Sequence, residues 1–347
     1  MAQSQTHPPP FIKTLYTADP SAHVFNNTLY IYPSHDIPTD TPSNDNGDQY
    51  AMNDYHVFSI PSLTALSSAS STEPEVSVTD HGPVLTLEQV PWASKQLWAP
   101  DAAEKNGKYY LFFPARDHEG LFRVGVAVGE KPEGPFVAEE KWLSGSYSID
   151  PAVFVDSKEK GGDGEAYLYL GGLWGGQLEK WVKSPTSEGG WVFDAEGKEP
   201  TGAGVPALNP RVAKLSGDLL SLASPVQELV ILDEQGAPIL ADDHDRRFFE
   251  AAWLHKYNGT YYFSYSTGDT HFLVYATSDS PLGPFQYRGR ILEPVLGWTT
   301  HHSIAEFEGK WWLFYHDCEI SEGKSWLRNV KVREIGYDEK GDIVLVD

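Results

Sequence analysis

SIDPAVFVDSKEKGGDGEAYLYLGG, residues 148–172, sets an acidic head, Asp150, before a short apolar run, a Gly-rich turn and an aromatic run. The same order of features recurs in ADPSAHVFNNTLYIYPSHD (18–36, head Asp19) and APDAAEKNGKYYLFFPARD (99–117, head Asp101). It recurs again in FFEAAWLHKYNGTYYFSYSTGD (248–269, head Glu250). In THHSIAEFEGKWWLFYHD (300–317), His301 and His302 stand at the place of the acid. Asn-Gly or Asp-Gly between apolar runs is a strong hairpin signal. Five diverged copies of one hairpin predict a repeat architecture.

Working outward from the hairpins enlarges the unit. LFRVGVAVG (121–129) follows the second hairpin and closes with KPEGPF (131–136). FLVYATSDSPLGPF (272–285) repeats that ending after the fourth. DYHVFSI (54–60) is a further strand beside the first. Small antiparallel sheets repeated five times describe an all-β fold, a five-bladed β-propeller. One closed propeller domain is therefore expected over residues 1–347, with 1–13 as a disordered or strapping tail. The unequal spacing of the heads predicts long inserted loops, notably 36–50 and 184–245. The Ser-rich stretch 61–79 reads as a surface connection. No amphipathic pattern supports a helix of three or more turns.

Forty per cent of the 347 residues are hydrophobic and 13 % aromatic, enough for a large core. The formal net charge of −23 argues against a nucleic-acid or anionic-membrane partner, since both need clustered Lys and Arg. A neutral ligand such as a carbohydrate is compatible with it. A single cysteine, Cys318, excludes an intrachain disulfide. No apolar run reaches the length of a membrane span, and the N-terminus shows no signal-peptide pattern. An intracellular protein is expected, or a secreted one if a signal has been removed. Asn26-Asn27-Thr28 and Asn258-Gly259-Thr260 match the glycosylation pattern, but both lie in turns that use Asn for its own geometry.

A propeller brings the inner strand of every blade to the central channel. Asp19, Asp101, Asp150, Glu250 and the His301/His302 pair should therefore converge at similar depth. Asp-Pro at 19–20 and 150–151 is also a common turn starter. Repetition in register with Glu250 favours chemistry over turn-making. Carboxylates close together cannot all ionise cheaply, so at least one pKa should rise. Two carboxyl groups with split pKa values are what glycoside hydrolysis needs.

The motifs ADPS (18–21), WAPD (98–101), SIDPAVF (148–154), FFEAAW (248–253) and HHSIAEF (301–307) resemble glycoside hydrolase family 43 over nearly the whole chain. The resemblance is strongest to β-xylosidase and α-L-arabinofuranosidase members. It implies an inverting hydrolase on a five-bladed propeller, acting on xylo- or arabino-oligosaccharides. It implies Asp19 as general base, Glu250 as general acid and Asp150 as the carboxylate that tunes and orients the acid. It gives Asp101 no chemical role. It implies calcium in the central channel on His301, with His302 an alternative ligand. Arg328 resembles the arginine that holds sugar hydroxyls. His35, Trp98, Trp174, Phe249 and His302 are the other candidate substrate contacts. Asp36, Asp117 and Asp317 read as turn or capping groups. The alternatives are an arabinanase or galactanase of the same family and a non-catalytic sugar-binding propeller. The related fructan-cleaving clan is excluded, because its N-D-P-N-G, R-D-P and E-C heads are not matched.

Overall fold

Each apolar run, turn and aromatic run closes as an antiparallel hairpin, because the turn residues tolerate left-handed backbone. Asn26, Asn27, Asn106 and Asn258 all have positive φ. The computed structural model describes residues 8–67, 76–158, 161–185, 190–298 and 300–346. Parts of the expected tail, of the Ser-rich connection and of the 184–245 insertion thus lie outside the described residues.

The first sheet runs β1 (Thr17–Phe25), β2 (Thr28–His35), β3 (Asp54–Ile60), β4 (Thr79–Thr86) in sequential order. The second holds β5 (Ala93–Lys95), β6 (Asp101–Lys105), β7 (Lys108–Asp117), β8 (Phe122–Gly129) and β9 (Val137–Ala138), with β5 and β6 both paired to β7. The third begins with β10 (Ala152–Val155) and β11 (Ala166–Leu170). It is interrupted by a separate hairpin, β12 (Trp181–Lys183) with β13 (Trp191–Phe193), before β14 (Arg211–Leu215) and β15 (Gln227–Glu228) complete it. A short β16 (Ile231–Leu232) then pairs in parallel with the outer strand of the fourth sheet. That sheet is β17 (Glu250–Tyr257), β18 (Thr260–Ser266), β19 (Leu273–Ser278), β20 (Phe285–Leu292). The fifth is β21 (His302–Phe307), β22 (Lys310–Asp317), β23 (Asn329–Tyr337), β24 (Ile343–Leu345).

The inner strands form a ring. β1 lies beside β6, β6 beside β10, β10 beside β17, β17 beside β21, and β21 beside β1. This is the five-bladed propeller. The core sits between blades. Leu29, Ile31 and Phe58 of the first pack on Phe307, Trp312 and Phe314 of the fifth. Trp253, Tyr262 and Tyr275 of the fourth pack on Ile304, Leu313 and Tyr315 of the fifth. Strands such as TYYFSYS are covered on both faces, which is why they read as unbroken aromatic runs. Of the expected tail, Phe11 donates its N–H to the Val330 carbonyl and Ile12 is buried against the first and fifth blades. This part straps the ring shut. Among the described residues, helical turns are short 3-10 pieces only.

Candidate active site

The heads do not simply continue their strands. In β1 the register with β2 shifts between Ala18 and Ser21, and in β17 it shifts between Glu250 and Trp253. The residues at these bulges are left-handed, Asp19 with φ 49° and Ala251 with φ 64°, and so is Asp150 (φ 56°) just before β10. Asp tolerates that conformation better than most residues, whereas Ala251 is strained by it. A bulge re-aims the side chain beside it, here toward the channel mouth. Close packing completes the setting: a Cβ on Gly172 would meet Ile149 at 2.6 Å, so only glycine lets the segment after β11 pass this close to the head that carries Asp150.

Asp19 is 6 % exposed and held from several directions. Arg328 Nη1 donates to its Oδ1 at 2.8 Å and the Ser34 hydroxyl donates to its Oδ2 at 2.6 Å. Its own N–H donates to His316 Nδ1 at 3.0 Å, so that nitrogen acts as an acceptor. Burial pushes the Asp19 carboxyl up, but the Arg328 guanidinium, His316, His301 and the Ser34 hydroxyl together outweigh it and the pKa falls to about 2. Arg328 is itself clamped by Asp36, which accepts from Nε at 2.8 Å, from Nη2 at 2.7 Å and from the Arg328 backbone N–H at 2.8 Å.

Asp150, 4 % exposed, is driven the other way. Burial raises its pKa well above the usual range, and the neighbouring Glu250 and Asp19 raise it further. It accepts the Ala251 N–H at 2.8 Å, which ties it to the residue after Glu250. His301 Nδ1 lies 3.8 Å from both Asp19 Oδ1 and Asp150 Oδ2. Burial lowers the His301 pKa, so the ring is neutral near neutral pH.

These groups line a cavity of about 300 Å³. Trp98, Trp174, Phe249 and Trp298 form aromatic wall, with Tyr50 under the Arg328 guanidinium at 5.2 Å. Trp174 packs on Phe249 (ring centroids 5.0 Å) and Trp298 (5.7 Å). Its indole N–H donates to Glu199 at 2.9 Å, and Glu199 pairs with the buried Arg247. Gly268, at φ +80°, leaves room for the Phe249 ring, which an added Cβ would strike at 2.4 Å.

Asp19, Asp150, Glu250, His301, Arg328, Trp98, Trp174 and Phe249 all reach the cavity as the sequence predicts. His35 and His302 do not line it, and the reason is strand alternation. Ser34 turns inward to Asp19, so His35 faces the other side of the sheet and pairs with Asp54 at 2.6 Å. His302 follows His301 and points into the blade, where its Nε2 bonds the Ser264 hydroxyl at 2.6 Å. Asp36 is no turn group but the clamp on Arg328. Asp117 and Asp317 do cap turns, accepting from Glu119 N–H and Glu319 N–H respectively. Asp101 is structural. It accepts from the Ser21 hydroxyl (2.5 Å), Ala102 N–H (2.7 Å) and Val153 N–H (2.5 Å), with His23 Nε2 at 2.6 Å. Tyr50, Trp298 and His316 escaped the sequence reading. Trp298 stands three residues before His301, a flanking position like that of Trp98 before Asp101.

The chain matches glycosyl hydrolases family 43 over residues 10–188 and 204–343. It is 65 % identical over 339 residues to xylosidase/arabinosidase 43A of Humicola insolens, covering 96 % of this chain and 98 % of that one. It is 52 % identical to a xylosidase/arabinosidase of Bacteroides ovatus, covering 96 % and 95 %. Among solved structures, a β-xylosidase/α-arabinofuranosidase from a compost microbial metagenome superposes with TM-score 0.89 at 56 % identity, over 98 % of this chain and 97 % of that one. That enzyme was crystallised with xylotriose in a calcium-free form. A xylose complex of a Xanthomonas citri enzyme gives TM-score 0.85 at 50 % identity, over 97 % and 92 %.

Proposed function

The chain belongs to glycosyl hydrolases family 43, and we propose that it is an inverting exo-glycosidase releasing xylose, arabinose or both from short hemicellulose oligosaccharides. The observation that carries this reading is the opposite tuning of two buried carboxyls in one cavity: Asp19 held anionic by Arg328, Asp150 raised beside Glu250. An anionic carboxylate on one side and a proton held on the other is the division of labour that hydrolysis with inversion needs.

Asp19, low in pKa and fixed by Arg328 and Ser34, takes a proton from water as that water attacks the anomeric carbon. Glu250, from a blade not adjacent to that of Asp19, gives its proton to the leaving oxygen. Asp150 stands between them in ring order, next to the acid's blade. Its elevated pKa and its bond to the Ala251 N–H support a role in keeping a proton on the Asp150/Glu250 pair and fixing the acid's backbone. The aromatic walls offer faces for the apolar side of a sugar ring. The cavity lies at the small end of ligand sites, about 300–1,000 Å³, which favours a chain end over a long polymer. Xylotriose and xylose in complexes of the similar enzymes support a pentose substrate.

Calcium belongs to this reading as well. The His302 Nδ1 is buried and has no hydrogen-bond partner, an atom that a hydrated ion would satisfy, and His301 lies next to it in the cavity wall. His301, which faces the cavity, would hold the ion, with His302 the alternative ligand, and water would supply most of the oxygens calcium prefers. When bound, it would add positive charge that favours the anionic forms of nearby carboxylates. The substrate reading is tested with aryl β-D-xylopyranoside, aryl α-L-arabinofuranoside and xylotriose: release of single pentoses from the non-reducing end supports it, while internal cleavage or no turnover contradicts it.

A further inference from the structure

On the face of the first blade turned away from the catalytic carboxylates, two imidazoles and two carboxylates meet. His35 ends β2; Asp54 and His56 share one face of β3, two residues apart; Asp80 lies on β4. His35 Nδ1 is 2.6 Å from Asp54 Oδ1, and His56 Nδ1 is 2.9 Å from Asp80 Oδ1. The two rings stand 5.0 Å apart at 66°. One potential ligand atom from each of His35, Asp54 and His56 lies within 4.8 Å of the other two. The side chains are 19 %, 23 % and 11 % exposed, so the cluster is reachable from solvent yet largely shielded.

We propose that His35, Asp54 and His56 form a second metal site, specific for a borderline transition-metal ion such as zinc and separate from the sugar cavity. The donor set decides the class of ion. Two imidazole nitrogens and a carboxylate suit zinc, copper or nickel, whereas calcium and magnesium demand mainly oxygens. The pairing of His56 Nδ1 with Asp80 is the carboxylate–histidine arrangement that orients a metal-binding ring and leaves Nε2 for the ion. The strands already hold the three residues together. A tetrahedral zinc with bonds of about 2.1 Å sets its ligand atoms about 3.4 Å apart, so the side chains need close by little more than an ångström, within reach of small side-chain rotations. Water would complete the coordination.

Tag-free protein titrated with zinc against a chromophoric chelator tests the proposal. One equivalent should bind with micromolar or tighter affinity, and a hundredfold excess of calcium should not displace it. His56→Ala should weaken it at least tenfold. Asp54→Asn, which preserves shape and volume, should do the same without unfolding the protein. Crystals soaked in zinc should show an anomalous peak between the two rings. Failure to bind zinc in the wild type, unchanged affinity in both variants, or an anomalous peak only elsewhere would overturn the assignment.

Discussion

Asp19 and Asp101 occupy the same position in neighbouring blades, both buried, and they do different work. Asp101 begins a regular strand, and its oxygens face Ser21 and His23 of the first blade, its own strand and Val153 of the third. It fastens three blades together around the channel. Asp19 sits on a bulge in left-handed backbone, and the groups that reach it are the Arg328 cation, the Ser34 hydroxyl, the imidazoles of His301 and His316, and the cavity. Register brings an acid to the axis; the backbone conformation and the partners then decide whether it is a fastener or a reagent. Asp150, also left-handed, falls with Asp19 in this respect, yet its pKa moves the other way, because burial is reinforced there by Glu250 and Asp19 instead of being outweighed by an arginine and its companions.

Substitution should widen these differences. Asp19→Ala should lower kcat/KM by about 10³-fold or more on every substrate, at the upper part of the range for a general base. Glu250→Ala should do so for xylotriose but lose much less on aryl glycosides with good leaving groups, which need no proton; equal losses on both would remove it as the acid. Next in size is Arg328→Met. It leaves Asp19 and Asp36 buried without their cation, at a cost of about 3–5 kcal/mol measured by denaturant unfolding. Its pH effect has a definite sign. In the wild type the Asp19 pKa, about 2, keeps the base ionised above that pH. Without Arg328, burial dominates, the pKa rises and the acid limb of kcat/KM moves to higher pH.

Asp150→Asn should reduce kcat by about 10–10²-fold and leave the fold intact. Because Glu250 then loses a neighbouring carboxylate, its proton is held less tightly and the basic limb of the profile moves to lower pH. An unmoved limb would detach Asp150 from the acid. The smallest effect on catalysis belongs to Asp101→Asn. An amide N–H₂ in place of an oxygen would oppose donors already aimed there, destabilising the ring by about 1–3 kcal/mol, while kcat per folded molecule stays within a few-fold. A collapse of kcat in a well-folded Asp101→Asn would erase the distinction between fastener and reagent.

The repeat of head, apolar run, turn and aromatic run was legible because it follows from two simple demands, hairpin turns and blades covered on both faces. That carried the five blades and the carboxyls of Asp19, Asp150 and Glu250 that meet at the cavity. The two misplaced histidines have one root. Sequence register says which residue is at the channel, but side chains alternate across a strand, so a neighbour one residue away is on the wrong face. His35 and His302 were assigned to the sugar on proximity in sequence and belong to the opposite faces. Asp36 and Arg328 lie 292 residues apart, and no local pattern announces that the one clamps the other. The bulges were hidden too: Asp-Pro reads as a turn, and nothing in FEAAW marks Ala251 as left-handed. Trp298 and His316 were missed because they sit outside the repeated head, on the blade that has histidine in place of the acid.

The most direct test follows the product anomer by NMR during hydrolysis of aryl β-D-xylopyranoside and aryl α-L-arabinofuranoside by wild type and Asp19→Ala. The account predicts that the first-formed sugar has inverted configuration and that turnover vanishes in the variant while its fold is kept. Product of retained configuration, or inversion that persists at an undiminished rate in Asp19→Ala, would contradict it.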